Sequence, residues 1–481
     1  MKSFFYSKTF PFWLFTFSAI FILIVSQLIQ DGVFMDGMLY ISVGKNLAEG
    51  LGTFWEPHFS KTSMSIFREQ PPLYFGLIAF FYKLFGGGIY TERIFCFVFM
   101  SFTAFYIHKI WKVIFLSKPD ISKNSWIPIL FWVSIPVIFW SYSNHVEETV
   151  MALFATISVY YLSKALYLKK NIFFNIILAG IFIFLSSLTK GIQGVFPITG
   201  ILFFWLFNNK NFSFKENIKY CAVLAITPAI IYVFLIVNNH HIYEVFKLYF
   251  ENRLGKTFNE SVHNTTDNRF ELGIRLFTEL IPMFLLIAII YLTGRKSPPN
   301  INQANYKKEI FWFLAIGLSG SLPLMITLEQ RGFYLVTALP MFAIAGALFV
   351  ANKMEYLVNK INTAGKIFKL FKIVSTLLFT FSVLFTASKI GSFKRDKELL
   401  TDIYNFGKII PHGEIVSIPV EMWNNWNLQT YLIRHFYISC EMSTNRHYFL
   451  LRKDLPKDLV PENYEPYPLN SLYLDMYVLK K

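Results

Sequence analysis

Several short stretches carry carboxylates where an apolar chain has little reason to hold them. "DGVFMDGMLY" (31–40) presents Asp31 and Asp36 directly after a long greasy run; Glu69 stands beside Arg68 ahead of "QPPLYFGLIAFFYKLFG"; and Glu147 and Glu148 are adjacent in "YSNHVEETVMALF". Acids this close to apolar segments are costly unless they are solvated, paired or bound to a cation. Two comparable turns hold lone cations, Lys190 in "SSLTKGIQGVFP" and Arg331 in "LEQRGFYLVTALP". Acids and single cations gathered on one face suit a reaction in which a hydroxyl gives up a proton and an anionic phosphate departs. Each residue also has a structural reading. Asp36 can cap a helix, Asp31 can be boundary polarity, Glu69 and Arg68 a solvated loop pair, the two glutamates loop solvation, and each cation a salt bridge between helix ends. His240, His241 and His263 share a long loop and can join a carboxylate around a metal, although no tight ligand spacing favours it.

The elements that must position these residues are membrane spans. Of 481 residues, 54% are hydrophobic and only 16% charged, too apolar for a soluble globule of this length. The net charge of +15 fits basic cytoplasmic loops beside anionic lipid better than nucleic acid. Cys96, Cys221 and Cys440 are too scattered for a disulfide framework or a zinc site. The N-terminal apolar run lacks a small-residue cleavage pattern and reads as a retained signal anchor. Apolar runs near the length needed to cross the bilayer give about eleven spans, from 11–29 and 94–116 through 191–207 to 370–387.

The charges between the runs set the sidedness. Alternate connections hold Lys109, Lys112, Lys118 and Lys123, then Lys164, Lys169 and Lys170, and three further basic sets ending at Lys372; these face the cytoplasm. The other connections hold Asp31, Asp36, Glu69, Glu147, Glu148 and Glu329 and face outward. The run after Pro72 is short for a span, and "DGMLYISVGKNLAEG" alternates an apolar stripe (Leu39, Val43, Leu47) with a polar one (Ser42, Lys45, Asn46, Glu49). Both read as interfacial helices in the first outer loop. From residue 394 the chain turns polar. "GEIVSIPV", "HYFLLR" and "LYLDMYVL" have strand character and "NLQTYLIRHF" can form a helix, so a small α/β domain (394–481) follows a transmembrane domain (1–393). The fold class is an all-α polytopic membrane protein with that small domain appended.

Taken together, "DGMLYISVGKNLAEGLGTFWEPHF", "EQPPLYFGLIAFFYKLFG", "NHVEETVMALF", "SSLTKGIQGVFP" and "RGFYLVTALP" resemble the polyprenyl-phosphate-sugar-dependent GT-C glycosyltransferases, which include protein mannosyltransferases and lipid A aminoarabinose transferases. The resemblance runs from about residue 10 to residue 350. It implies an inverting transfer of a sugar from a lipid-phosphate donor to a hydroxyl of a lipid, glycan or protein acceptor, at the outer face of a bacterial inner membrane. It makes Asp36 the catalytic carboxylate, Glu147 or Glu148 the second acid, and Glu69 an active-site acid on the side of any divalent metal. Arg68, Lys190, Arg331 and Tyr334 would lie near the donor. Gln70 stands where a basic residue or histidine is usual, Ile192 where proline often follows, and the second acid is Glu rather than Asp. A transporter or flippase of lipid-linked or small polar substrates also uses many spans, but would place its charges near the midplane. A scaffold whose outer domain binds a partner remains a further reading.

Overall fold

The structure is a computed structural model that describes residues 7–208, 212–251, 265–296 and 306–480. Helix α1 (Phe10–Leu28) crosses first, followed by α2 (Met35–Ala48) and α3 (Leu73–Phe85) and by the long α4 (Ile89–Ile114). The pair α5 (Pro119–Val133) and α6 (Pro136–Ser143) bends by 77°. Pro136 causes the break, because it has no N–H to continue the ladder and suits the start of a new helix. Then come α7 (Glu148–Leu168), α8 (Ile172–Lys190), α9 (Ile192–Phe207), α10 (Phe214–Asn238) and α11 (His240–Tyr249). A second bent pair, α12 (Glu271–Glu279) and α13 (Ile281–Thr293), precedes α14 (Lys307–Ile326), α15 (Leu339–Asn359) and α16 (Lys366–Ala387).

Among the described residues eight helices are long and apolar enough to span, or ten if each bent pair counts as one. The chain is a multi-pass membrane protein. The expected count of about eleven is not reached, because 191–207 opens as eight residues of tight 3-10 helix around Pro197 before eight of α-helix, and stays shorter than the spans. The lysine-rich connections meet at one end of the bundle: Lys118 reaches the Tyr306 hydroxyl at 2.8 Å, Lys8 the Asn359 carbonyl at 2.7 Å, and Lys353 lies over the Tyr291 ring.

At the opposite end the chain after α16 forms α17 (Lys397–Phe406), β1 (Ile415–Ser417), α18 (Trp426–Phe436), β2 (Ser439–Glu441), β3 (Tyr448–Arg452), β4 (Tyr464–Pro466) and β5 (Leu474–Leu479). The sheet order is β2-β1-β3-β5-β4. β1 is parallel to β2 and β3, while β5 pairs antiparallel with β3 and β4. The three strands and the helix expected from sequence are present; β2 and β4 are too short to show a pattern.

Helix α2 departs from the interfacial reading. Its apolar stripe is covered by α3, and at their crossing Gly44 is so close that a Cβ would stand 2.5 Å from Ile78 Cγ2. Its polar stripe is covered too, except for the exposed Glu49 at its end. Ser42, Lys45 and Asn46 are buried. Ser42 reaches the Thr430 carbonyl of α18 at 3.1 Å, Lys45 donates to the Arg434 carbonyl at 2.5 Å, and Asn46 donates to the carbonyl of Phe59. The polar face exists to meet backbone carbonyls, not water. α2, α3 and the sheet unit accordingly share one hydrophobic core, in which Met38 and Ile41 pack with Leu428, Leu432 and Phe449.

Asp31 likewise does more than mark a boundary. Its backbone pairs with Ser392 and Lys394 in a short parallel bridge, and its buried carboxylate accepts from Arg434 at 3.1 Å and from the Tyr404 hydroxyl. Burial alone would raise the Asp31 carboxyl, but Arg434, His435 and the Tyr404 and Gly32 hydrogen bonds outweigh it and hold it well below the usual carboxylate range.

Burial, reinforced by the Arg434 charge and opposed by Glu49, brings the Lys45 ammonium down to about 8. A base whose folded pKa is depressed weakens the fold while protonated, and that penalty disappears as pH rises from about 8 to the ordinary 10.5. The stability of the wild-type protein relative to Lys45→Met therefore rises across that window. Thermal unfolding of both proteins in one detergent at several pH values measures it, and a flat difference would contradict the buried-ammonium account.

Candidate active site

The site is built on the turn between α6 and α7. The Asn144 side-chain oxygen accepts the Phe34 N–H at 3.0 Å, supplying from a distance the side-chain cap that α2 lacks locally. His145 takes φ of 57°, its carbonyl accepts the Tyr74 hydroxyl of α3 at 2.6 Å, and its Nδ1 lies 2.9 Å from the Cys96 thiol of α4. Lys394 donates to the Ser143 carbonyl at 2.5 Å. Gly37 lets α2 press onto this turn, since a Cβ there would stand 1.9 Å from the Asn144 carbonyl oxygen. The Asp-Gly pair at 36–37 thus places a carboxylate where only a glycine neighbour permits the approach.

Glu147 immediately precedes α7 and Glu148 is its first residue; both are fully buried. A helix N-terminus favours negative charge, which lowers the cost of placing them there. Lys190, the last residue of α8, supplies the opposite charge, its Nζ standing 2.6 Å from Glu148 and 3.8 Å from Glu147. The ammonium also lies over the Tyr334 ring at 5.0 Å and the Phe333 ring at 5.7 Å. Gly191, at φ of 87°, turns the chain away directly afterwards, with no room for a side chain beside the Tyr249 hydroxyl.

Asp36, half-buried in the first turn of α2, faces the same cluster. Its charge acts on Glu147, and on Tyr40 one helical turn further along. Glu147 and Glu148 meet the Lys190 ammonium, and Asp36 lies near enough to act on both acids. Burial pushes the Glu147 carboxyl well above its ordinary range; Lys190 opposes this, and Glu148, Asp36 and Glu69 add to it. Neither Glu147 oxygen finds a hydrogen-bond partner among the described residues. Asp36, unlike the fully buried Glu147 and Glu148, is only half-buried.

Asp36, Glu147, Glu148, Lys190 and Tyr334 come together. Glu69 is exposed at the edge. Arg68 turns to Glu56 at 3.1 Å, which also lies 3.4 Å from His241, so it joins the first loop to α11 rather than the cluster. Arg331 is exposed at the start of the 3-10 turn Gly332–Thr337. His263 lies outside the described residues. Among the described residues no three His, Cys, Asp or Glu side chains gather as ligands. The arrangement does not fit a divalent ion caged by protein side chains.

Lys190 and Tyr334 stand at the head of a cavity of about 460 Å³. Its polar end carries Gln70, Gln193 and Glu329; Ile192, Phe196, Pro323 and Leu324 make its walls apolar. Gln193 is anchored by a hydrogen bond to the Tyr334 carbonyl at 2.7 Å, and the Tyr334 hydroxyl donates to Glu329 at 3.2 Å. Tyr40 was not foreseen from sequence. It is buried, and burial together with Glu147, Asp36 and Glu148 pushes its hydroxyl well above the ordinary tyrosine range, so it stays a hydrogen-bond donor among the acids. The available signal was its spacing of four from Asp36.

Residues 69–237 match the family model described as dolichyl-phosphate-mannose-protein mannosyltransferase. No curated protein sequence matches the chain. Its structure is similar to the crystal structure of ArnT from Cupriavidus metallidurans bound to undecaprenyl phosphate, with a TM-score of 0.68 at 12% identity over 97% of both chains. The apo form of the same protein gives a TM-score of 0.65 at 11% identity, again over 97% of both. The chain therefore shares its fold with ArnT along almost its whole length, and about a third of it, residues 69–237, matches the mannosyltransferase family model.

Proposed function

We propose that the protein is an inverting glycosyltransferase that moves a sugar from a polyprenyl-phosphate donor to a hydroxyl of a lipid, glycan or protein acceptor. The observation that carries this reading is the Lys190 ammonium, held by buried acids at the polar head of an apolar cavity, with the Asp36 carboxylate near enough to act on those acids. A polyisoprenyl tail needs an apolar groove and its phosphate a fixed positive charge; that ArnT was crystallised with undecaprenyl phosphate supports the same ligand class here. The clustering of the charges at one end of the bundle favours transfer at a membrane surface over passage through the midplane.

In this mechanism the acceptor oxygen attacks C1 of the sugar from the face opposite the phosphate, and its proton passes to the Asp36 carboxylate. The bond from C1 to the phosphate oxygen breaks, and the electron pair leaves with the lipid phosphate. Lys190 steadies the departing anion, while Glu148 fixes the ammonium and Glu147 remains protonated. Tyr40 stays protonated among the acids, and Tyr334, which lines the cavity with Lys190, flanks the phosphate. General-base action of this kind contributes roughly 10²- to 10⁴-fold. Electrostatic stabilisation of the leaving phosphate contributes about as much or more. The active face is the outer one of a bacterial inner membrane, and the sheet unit (394–481) lies in the periplasm.

Purified protein in lipid, given a panel of undecaprenyl-phosphate sugars, is expected to release undecaprenyl phosphate from one of them. Asp36→Asn keeps the unfolding temperature yet lowers release by at least about 10²-fold; a near-normal rate would remove the assignment of Asp36 as base. Sidedness has its own measurement. In intact cells a membrane-impermeant thiol reagent modifies a cysteine placed at 69 and spares one placed at 164, and the reverse pattern would invert the topology.

A further inference from the structure

The sheet unit backs the helix that carries Asp36. Along α2, at about 100° per residue, Asp36 and Tyr40 share one face while Ser42 and Lys45 lie on the other. That second face is bound by α18. Ser42 reaches the Thr430 carbonyl at 3.1 Å and Lys45 donates to the Arg434 carbonyl at 2.5 Å, with its ammonium 4.4 Å over the Tyr437 ring. Just ahead of α2, the Tyr431 hydroxyl accepts the Val33 N–H and lies 3.3 Å from the Val33 carbonyl and 2.8 Å from Asp396.

The Arg434 guanidinium pairs with Asp31, before α2, at 3.1 Å, and with Glu92 at the start of α4. Glu92 also accepts from Tyr82 of α3 at 2.9 Å. These groups are sealed from water: Arg434 is 1% exposed, Asp31 7% and Glu92 0%. One residue of the sheet unit therefore holds the approach to α2, its last turn, and both neighbouring helices.

The geometry points to Arg434 and Tyr431 as positioning residues for the Asp36 carboxylate: the sheet unit fixes the depth and rotation of α2, and with them the reach of the base. This rests on the glycosyl-transfer reading and assigns the unit a part in the catalytic step. A displacement of about 1 Å at a reacting group costs on the order of 10²-fold in rate, and α2 has no side-chain cap of its own to resist one.

The test uses the full chain in lipid nanodiscs as wild type, Arg434→Lys, Tyr431→Phe and Arg446→Gln, the last altering an exposed pair with Glu441 inside the sheet unit. Two quantities are read: hydrogen exchange of the amides of residues 35–48, and kcat and KM for release of undecaprenyl phosphate. Arg434→Lys and Tyr431→Phe are expected to speed exchange in α2 about 10-fold. They lower kcat about 10- to 100-fold with KM changed less than about 3-fold, whereas Arg446→Gln moves neither. Tyr431→Phe leaves the buried charges paired and decides the matter if Arg434→Lys fails to fold. Unchanged exchange with wild-type kcat, or a rise in KM alone, overturns the proposal. If the wild type transfers no sugar from any donor, the exchange rates still judge the clamp: faster exchange in α2 upholds it and unchanged exchange ends it.

Discussion

The pairing of Lys190 with Glu148 and Glu147 at the rim of the helical bundle is the constraint around which the rest is arranged. Two carboxylates and an ammonium with almost no solvent are tolerated only if each finds a counter-charge, a helix dipole or a proton. α7 supplies its N-terminus, α8 ends so that its last side chain reaches across, and the aromatic rings of the Gly332–Thr337 turn cover the ammonium. Removing any of these would leave a buried charge uncompensated, at a cost of about 3–5 kcal/mol for a broken pair. The carboxylates differ in environment: burial raises the Glu147 carboxyl, whereas Asp36 is only half-buried.

A second set of buried charges solves a different problem. Asp31, Glu92 and Arg434 join the bundle to the sheet unit through side chains that no water reaches. Hydrophobic packing between α2, α3 and α18 supplies attraction without direction, while the guanidinium fork selects one register. The two charge clusters lie on opposite sides of α2. A single fourteen-residue helix is thus fixed from behind and presents Asp36 in front.

Much of this was legible residue by residue. The apolar runs and the alternation of lysine-rich with acid-rich connections placed Asp36, Glu147, Glu148 and Lys190 on one side, and the structure brings all four together. The polar stripe of α2 was misassigned to water because periodicity reveals that a face is polar, not whether a carbonyl or a solvent molecule satisfies it. Asp31 was undervalued for a similar reason: its partner Arg434 lies 403 residues away. Tyr40 was missed because an aromatic on an amphipathic helix ordinarily belongs to the core. Arg68, although adjacent to Glu69, found its partner in Glu56 across the loop.

By itself the sequence determined the medium, the approximate number of spans and the gathering of the acid-bearing connections at one end of the bundle. Those follow from transfer free energies that each segment carries regardless of its neighbours. Only the tertiary structure decided which acid meets Lys190, that Gly37 opens the way for Asp36, that 191–207 stays too short to count as a span, and that the outer unit is built onto α2. These depend on distances between segments far apart in the chain, and a buried charge or a close backbone approach has no local signature until its partner is in place.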